Sequence, residues 1–246
     1  MRYVISSDGR VLTPTRELKP LLKEAFPAFF KLVGHIRLFY MSDENWDGKS
    51  FLSFKINGGK FITIKLDENN FSINFSNKNY NIVDEKLLNV IFDELKITFP
   101  IEQHRPIEQL LINPNEYSCG YRCDLCLMNK RNNQNGYEGN KIFHEMDWNC
   151  YHPEYGEERA NYSNIVCEGC TLERKNGCKN YTCPIEKGFT NCMECGEYYT
   201  CDICKDCHTP GECNLGITAD EVTKIVVPYA RKERFDLSRN MDAIKK

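Results

Sequence analysis

The chemistry legible in this chain of 246 residues is carried by fourteen cysteines, all lying between Cys119 and Cys213. Five pairs have the spacing C-x₂-C: Cys123/Cys126, Cys167/Cys170, Cys192/Cys195, Cys201/Cys204 and Cys204/Cys207. Wider gaps separate Cys119/Cys123, Cys178/Cys183 and Cys207/Cys213, and Cys150 stands by itself. Two thiolates two residues apart can turn back onto one ion, with backbone N–H groups left to point at the sulfurs. Five repeats in one stretch read as metal binding, with all fourteen cysteines as candidate ligands. Gly196 after Cys195 and Gly169 before Cys170 suit the tight turn of such a knuckle.

Zinc is the first expectation, because tetrahedral thiolate sites are the usual use of repeated C-x₂-C. Such a site contributes binding energy on the order of 10 kcal/mol directly to folding. The stretch needs it: from Asn129 to Tyr162 the chain is mostly polar and cannot bury a core by itself. The expected complement is two or three Zn²⁺ ions. An iron–sulfur cluster is the alternative. Cys119-x₃-Cys123-x₂-Cys126 has the cluster spacing of radical S-adenosylmethionine enzymes, although no long βα barrel follows it. Cys201-x₂-Cys204-x₂-Cys207-x₅-Cys213 approaches a ferredoxin run, but its final gap is too long and no proline follows Cys213. Metal buffering or delivery is a third reading. His152 and His208 are candidates to complete a Cys₃His site, whereas His35 and His104 have no evident partner.

No catalytic constellation emerges. With fourteen cysteines, no Cys/His nucleophilic pair can be singled out. Asp43, Glu44 and Asp47 read as a solvated acidic loop, and Tyr198 and Tyr199 as apolar filling of a metal domain. The formal charge of −3 would fall to about −9 if three Cys₄ zinc sites formed, each adding −2. That balance disfavours nucleic acid as a partner. The opening residues lack an apolar run of signal length, and no window approaches a membrane span. A cytoplasmic location is expected, where thiols stay reduced and dense cysteines point to metal rather than disulfides.

The elements that must position these cysteines come before and after them. Residues 1–99 read as a small α/β sandwich. A helix opens at Pro14-Thr15 with Leu18, Leu21, Leu22, Ala25 and Phe29 on one face, and Pro27 is expected to end or kink it. Ile36 to Tyr40 is a strand candidate, followed by a polar loop from Ser42 to Lys49. Phe51–Ile56, Phe61–Leu66 and Phe71–Phe75 alternate as strands, with a hairpin at Asn57-Gly58-Gly59. A helix from Asp84, its cap, to about Lys96 covers the sheet with Leu87, Leu88, Ile91, Phe92 and Leu95. Residues 100–116, with three prolines, form a linker, although Ile107, Leu110 and Leu111 offer apolar contacts. Residues 117–215 are the cysteine-rich metal-binding domain. Residues 216–246 are a C-terminal helix and tail, opened by a capping box at Thr218-Ala219-Asp220-Glu221, broken near Val227 by Pro228, and frayed over the last ten residues. The fold class is therefore α+β: a helix–four-stranded antiparallel sheet–helix domain plus an irregular, metal-stabilised cysteine-rich domain.

One order of residues resembles a known family. Cys119-Gly120-Tyr121-Arg122-Cys123-x₂-Cys126, Cys167-Glu168-Gly169-Cys170, Cys178-x₄-Cys183 and Lys187-Gly188-x₃-Cys192-x₂-Cys195-x₂-Tyr198-x₂-Cys201 look like a cysteine-rich prokaryotic family catalogued as a domain of unknown function. The resemblance covers Cys119 to Cys201 and implies zinc binding. The chain departs from it with Tyr181-Thr182 before Cys183, with Thr200 before Cys201, and with the added Cys204, Cys207 and Cys213. The N-terminal part resembles another uncharacterised small α/β family. The expected function is that of an adaptor or binding module with structural zinc, which takes a protein or small-molecule partner and involves no membrane.

Overall fold

The computed structural model describes residues 3–6, 8–100, 104–111, 120–127, 129–132, 177–205 and 210–244. Its first layer is a five-stranded antiparallel meander: β3 (Asp43–Trp46), β4 (Phe51–Ile56), β5 (Gly59–Asp67), β6 (Asn70–Phe75) and β7 (Lys78–Ile82). The expected sheet had four strands, and the difference arises at both edges. β3 occupies what reads as a polar loop, because its two inward residues, Glu44 and Trp46, give no apolar alternation. β7 buries Ile82 alone among its five residues, and Ser76 and Asn77, both at positive φ, make its turn without glycine. The central strands follow the sequence pattern. Asn57 and Gly58, at φ 50° and 77°, turn β4 into β5 as the hairpin requires.

Cross-strand pairs such as Leu52 with Ile64, Phe54 with Ile62 and Leu66 with Phe71 set one apolar face. That face packs on α1 (Phe26–Phe39) and α2 (Leu88–Thr98). Ile36 to Phe39 is the last turn of α1 and not a strand. Ile36 ends a buried stripe that begins Ala25, Ala28, Phe29, Leu32, Val33, so the 3.6-residue period overrides the local β-propensity. Pro27 starts this helix rather than ending it, since its missing N–H costs nothing in the first turn. Three short helical turns (Thr15–Leu18, Lys19–Leu22 and Lys23–Ala25) lead into it. Asp84 does not cap α2; its carboxylate accepts from the Lys86 N–H at 2.8 Å, and α2 begins at Leu88.

A second sheet joins the two ends of the chain. β1 (Val4–Ile5) and β2 (Val11–Pro14) pair with each other, and β2 pairs antiparallel with β8 (Asn214–Leu215), directly after the last cysteine. Beneath it lies an apolar cluster drawn from Leu12, Leu38, Leu110, Ile217, Val222 and Val226. Leu110 belongs to a short helical turn, Ile107–Leu110, so this part of the proline-rich linker is packed. A buried polar network stitches the same region. Arg37 donates to both oxygens of Glu44 (2.6 and 3.0 Å) and to the carbonyls of Pro210, Cys213 and Asn214. Glu44 in turn accepts from Gly216 N–H at 3.0 Å. The acidic loop read as solvated thus contains a fully buried carboxylate. Backbones meet here too: a Cβ on Gly211 would stand 2.5 Å from the Phe30 carbonyl oxygen.

The capping box at Thr218 forms as expected, with Glu221 returning to the Thr218 N–H. Val222–Val226 is a π-turn, and the helical path breaks before α4 (Arg231–Ile244), as Pro228 requires. The helix reaches Ile244, well into the last ten residues. Helix α3 (Lys179–Glu186) belongs to the cysteine-rich part.

Candidate metal centre

Four of the candidate ligands come from one run of short elements. Cys183 sits on α3. A 3₁₀ turn, Cys192–Glu194, is set by Asn191, whose side chain accepts from the Met193 N–H at 2.8 Å. Cys195 N–H then donates to the Cys192 carbonyl, Tyr198 N–H to the Cys195 carbonyl, and Cys201 N–H to the Tyr198 carbonyl. The chain therefore steps from thiol to thiol through three tight turns. Gly188, at φ 78°, ends α3 and returns the chain toward this knuckle. Gly196 has open space around it and no positive φ, so the expected turn role does not fall to it.

These thiols sense one another. Burial pushes the Cys183 thiol up; Lys187 opposes that, and Cys201, Cys192 and Cys195 each add to the rise as like-charged neighbours. A fully buried cation meets the same group. Arg231 on α4 is 0 % exposed, and its Nη2 donates to Cys192 Sγ at 3.0 Å while Nη1 donates to Asn180 Oδ1 at 2.8 Å. Two turns further along α4, Arg239 donates to the carbonyls of Met193 (2.8 Å) and Cys195 (3.2 Å). Tyr198 and Phe235 pack edge to face behind the knuckle, and the Tyr198 hydroxyl donates to the Lys232 carbonyl. Tyr198 is thus apolar filling, as its sequence context suggested.

A second knuckle spans Arg122 to Asn132. Cys126 N–H donates to the Arg122 carbonyl, and the Asn132 amide donates to the carbonyls of Asp124 (2.7 Å) and Cys126 (2.9 Å). Cys126 Sγ lies 3.2 Å from the Tyr229 hydroxyl. Arg234, also buried, donates to the Gly120 carbonyl at 2.8 Å. Gly120 stands at φ 79°, and a Cβ there would come 2.4 Å from Phe235. Cys123 and Cys126 are accordingly close in the chain turn. Cys119, Cys150, Cys167, Cys170 and Cys207, with His152 and His208, lie outside the described residues, and nothing is described of the Cys204 side chain. Cys178 precedes α3 as its N-cap. Cys213 is placed differently, buried in the apolar cluster beside β2 and β8. His35 is stacked on Phe92, with ring centroids 4.1 Å apart, and His104 lies near Tyr40 and Phe99.

Among the described residues, no three Cys, His, Asp or Glu side chains stand as a ready coordination sphere. The donor chemistry nevertheless fits a thiophilic metal. Nearby positive charge favours a thiolate, and Arg231 presents such charge at the Cys192 sulfur. Closing Cys183, Cys192, Cys195 and Cys201 around an ion would require them to contract.

Comparison with known families bears on this same stretch. Residues 116–206 match DUF3795, a family described as protein of unknown function. The DUF3795 match spans less than half of the chain and begins just before the Cys119 knuckle. It takes in the four clustered cysteines and leaves out α4, β8 and the whole N-terminal sheet. No curated protein and no solved structure matches the chain. Among the described residues, no helix is long and apolar enough to cross a membrane.

Sequence reasoning missed the α4 residues. Arg231, Arg234, Phe235 and Ser238 fall at helical spacing and are all buried. A search for apolar periodicity does not detect a stripe whose members are mostly cationic or polar. The usable signal was the period itself, read for any long side chain rather than for hydrocarbon alone.

Proposed function

We propose that the protein is a structural-zinc protein in which Cys183, Cys192, Cys195 and Cys201 hold one ion, the cysteine-rich part acting as a binding or adaptor module. The observation that carries this is the convergence of these thiols beside a fully buried guanidinium that donates to Cys192 Sγ. A Cys₄ zinc centre has a net charge of −2, and burying it requires compensating cations and N–H donors. When bound, zinc would supply a crosslink between turns too short and too polar to hold one another. The chain's own residues supply the rest: Asn191 fixes the 192–195 turn, Arg239 holds its carbonyls, and Tyr198 and Phe235 keep water from its back. The N-terminal sheet would present the surface for a protein or small-molecule partner.

Protein purified without oxygen should be colourless and carry two or three zinc ions per chain, as expected from the knuckle count. A brown protein with about four irons per chain would replace zinc by a [4Fe–4S] cluster. Cys195→Ser should lose about one ion and lower the melting temperature of the cysteine-rich part. Unchanged metal content in that variant would remove Cys195 from the site. Chelation separates structure from metal delivery, because a structural site unfolds on losing its ion whereas a delivery site stays folded.

A further inference from the structure

We infer that the β7 edge of the five-stranded sheet, with the flank of α2 beside it, is the interface through which two copies of this chain pair antiparallel. This interface lies on the N-terminal sheet and forms whether or not the cysteines hold metal. The two edges of the sheet differ. β3 is covered: the Glu44 N–H donates to the Ile217 carbonyl at 3.0 Å, and the Asp43 carboxylate accepts from the Ala219 N–H at 2.9 Å. β7 forms the opposite edge, and no further strand pairs with it among the described residues. The direction of its backbone groups follows from its turn. Ser76 and Asn77, at φ 50° and 62°, form a two-residue loop between the paired Phe75 and Lys78. Residues that flank such a loop exchange hydrogen bonds with each other. Alternation along the ladder then bonds Tyr80 to Ile73 and Ile82 to Phe71, and turns the N–H and C=O groups of Asn79 and Asn81 away from the sheet. The usual devices that blunt an edge are missing from this strand. It has no proline and no shift of register, and Lys78, its one charged residue, donates to Glu94 at 3.0 Å.

An apolar flank runs alongside. Glu94 accepts from Lys78 and from the Tyr80 hydroxyl, which sets its side of α2 against β7. Val90 and Ile97 lie one turn before and one turn after Glu94, and they are 49 % and 81 % exposed. On another side of the helix Phe92 stacks on His35 of α1, so the Val90–Ile97 flank is the one turned away from α1. Val83, directly after β7, is 55 % exposed.

A second copy of the chain supplies what this surface lacks. Antiparallel pairing of β7 about Tyr80 puts Asn79 opposite the partner's Asn81, and Asn81 opposite the partner's Asn79, so outward groups meet outward groups. The same register brings Lys78 toward the partner's Asp84, just past the other end of the strand, and opposite charges meet. Both α2 helices then stand on one face of a continuous sheet, with Val90 and Ile97 of each beside the two-fold axis. A single strand pair of this length is marginal in water, so burial of these apolar flanks must contribute.

Sedimentation of the full chain from nanomolar to high micromolar concentration tests this, with a phosphine reductant present so that cysteine crosslinks do not contribute. The wild type should dimerise, and hydrogen exchange across residues 78–83 should slow as the dimer forms. Asn81→Pro removes an N–H directed away from the sheet. The variant should therefore keep the circular dichroism of the folded chain and fail to dimerise. Val90→Lys and Ile97→Lys each set like charges beside the axis and act twice by symmetry. Each should raise the dimer dissociation constant roughly tenfold or more. A wild type that stays monomeric at every concentration overturns the inference and leaves the metal reading untouched. A dimer that survives both Asn81→Pro and Ile97→Lys overturns it as well, because the copies then meet elsewhere. Should Asn81→Pro fail to fold, Ile97→Lys decides, since that side chain is mostly in solvent: a weakened dimer supports the interface, and an unchanged constant overturns it.

Discussion

Replacing Glu44 by glutamine should destabilise the protein far more than its conservative shape suggests. The Glu44 side chain is 0 % exposed and that of Arg37 is 1 % exposed, with bonds of 2.6 and 3.0 Å between them. Glu44→Gln keeps the volume and removes the negative charge that meets Nε and Nη2 of Arg37, so that its contacts to the new amide and to the carbonyls of Pro210, Cys213 and Asn214 are all with neutral groups. Breaking a buried pair from one side costs about 3–5 kcal/mol, a third or more of the stability of an ordinary domain. Replacing both partners by leucine should not restore the wild type. It removes the stranded charge but takes Arg37 from the carbonyls of Pro210 and Asn214 and Glu44 from the Gly216 N–H, at about 1–3 kcal/mol for each group that finds no substitute, while the Cys213 carbonyl keeps the Thr15 hydroxyl. Urea unfolding at neutral pH gives the energies. Trp46 provides a local reading, since its indole N–H donates to Thr13 Oγ1 at 2.8 Å on the strand that pairs with Asn214–Leu215. A loss below about 1 kcal/mol, with Trp46 emission unchanged, would refute the claim that this ion pair is desolvated and holds the two chain ends together.

Two further outcomes follow from single residues. Burial among Phe39, Phe92 and Tyr40 is the first cause, and Lys96 the second, holding His35 down from 6.5 to about 3. Because the folded value lies below the unfolded one, its contribution is complete above pH 6.5 and is lost as pH falls toward 3. His35→Phe should therefore lack on the order of 5 kcal/mol of the acid sensitivity of the wild type, and coincident stability–pH curves for the two proteins would show that His35 is solvated. Gly120→Ala should cost at least about 1–3 kcal/mol, since it combines a φ of 79° with a Cβ 2.4 Å from the Phe235 ring. An unchanged thermal midpoint would mean that α4 does not seat Phe235 there.

The sequence discloses those parts of the fold whose inward residues are hydrocarbon. β4, β5 and β6 alternate cleanly, and Asn57-Gly58 sets their first hairpin. β3 escapes notice because Glu44 faces inward to meet Arg37, a pairing between distant residues that no local window contains. Ile36–Tyr40 misleads because β-branched and aromatic residues also complete a helical stripe when a sheet is there to receive it. The cysteine spacings mark candidate donors but not their grouping, since each tight turn offers two sulfurs in any direction. The structure sets Cys192 against the buried Arg231 and Cys213 apart in hydrocarbon. Buried arginines complete the picture. They are legible only once their partners, a sulfur and several backbone carbonyls, are in place.

The pairing of Thr13 with Leu215 and of Pro14 with Asn214 also governs the order in which the protein can be made. During synthesis β2 emerges roughly two hundred residues before its partner strand. The five-stranded meander closes through adjacent hairpins and can collapse while the ribosome is still translating the cysteines. The loop between β2 and β8 is roughly forty to a hundred times longer than a hairpin's, and closing it costs about 3–4 kcal/mol more in chain entropy. Any crosslink of the kind proposed within residues 119–207 would shorten the effective length of that loop. A chain that acquires its knuckles first would therefore meet its own N-terminus more readily, which makes the three-stranded sheet the last seal on a finished molecule.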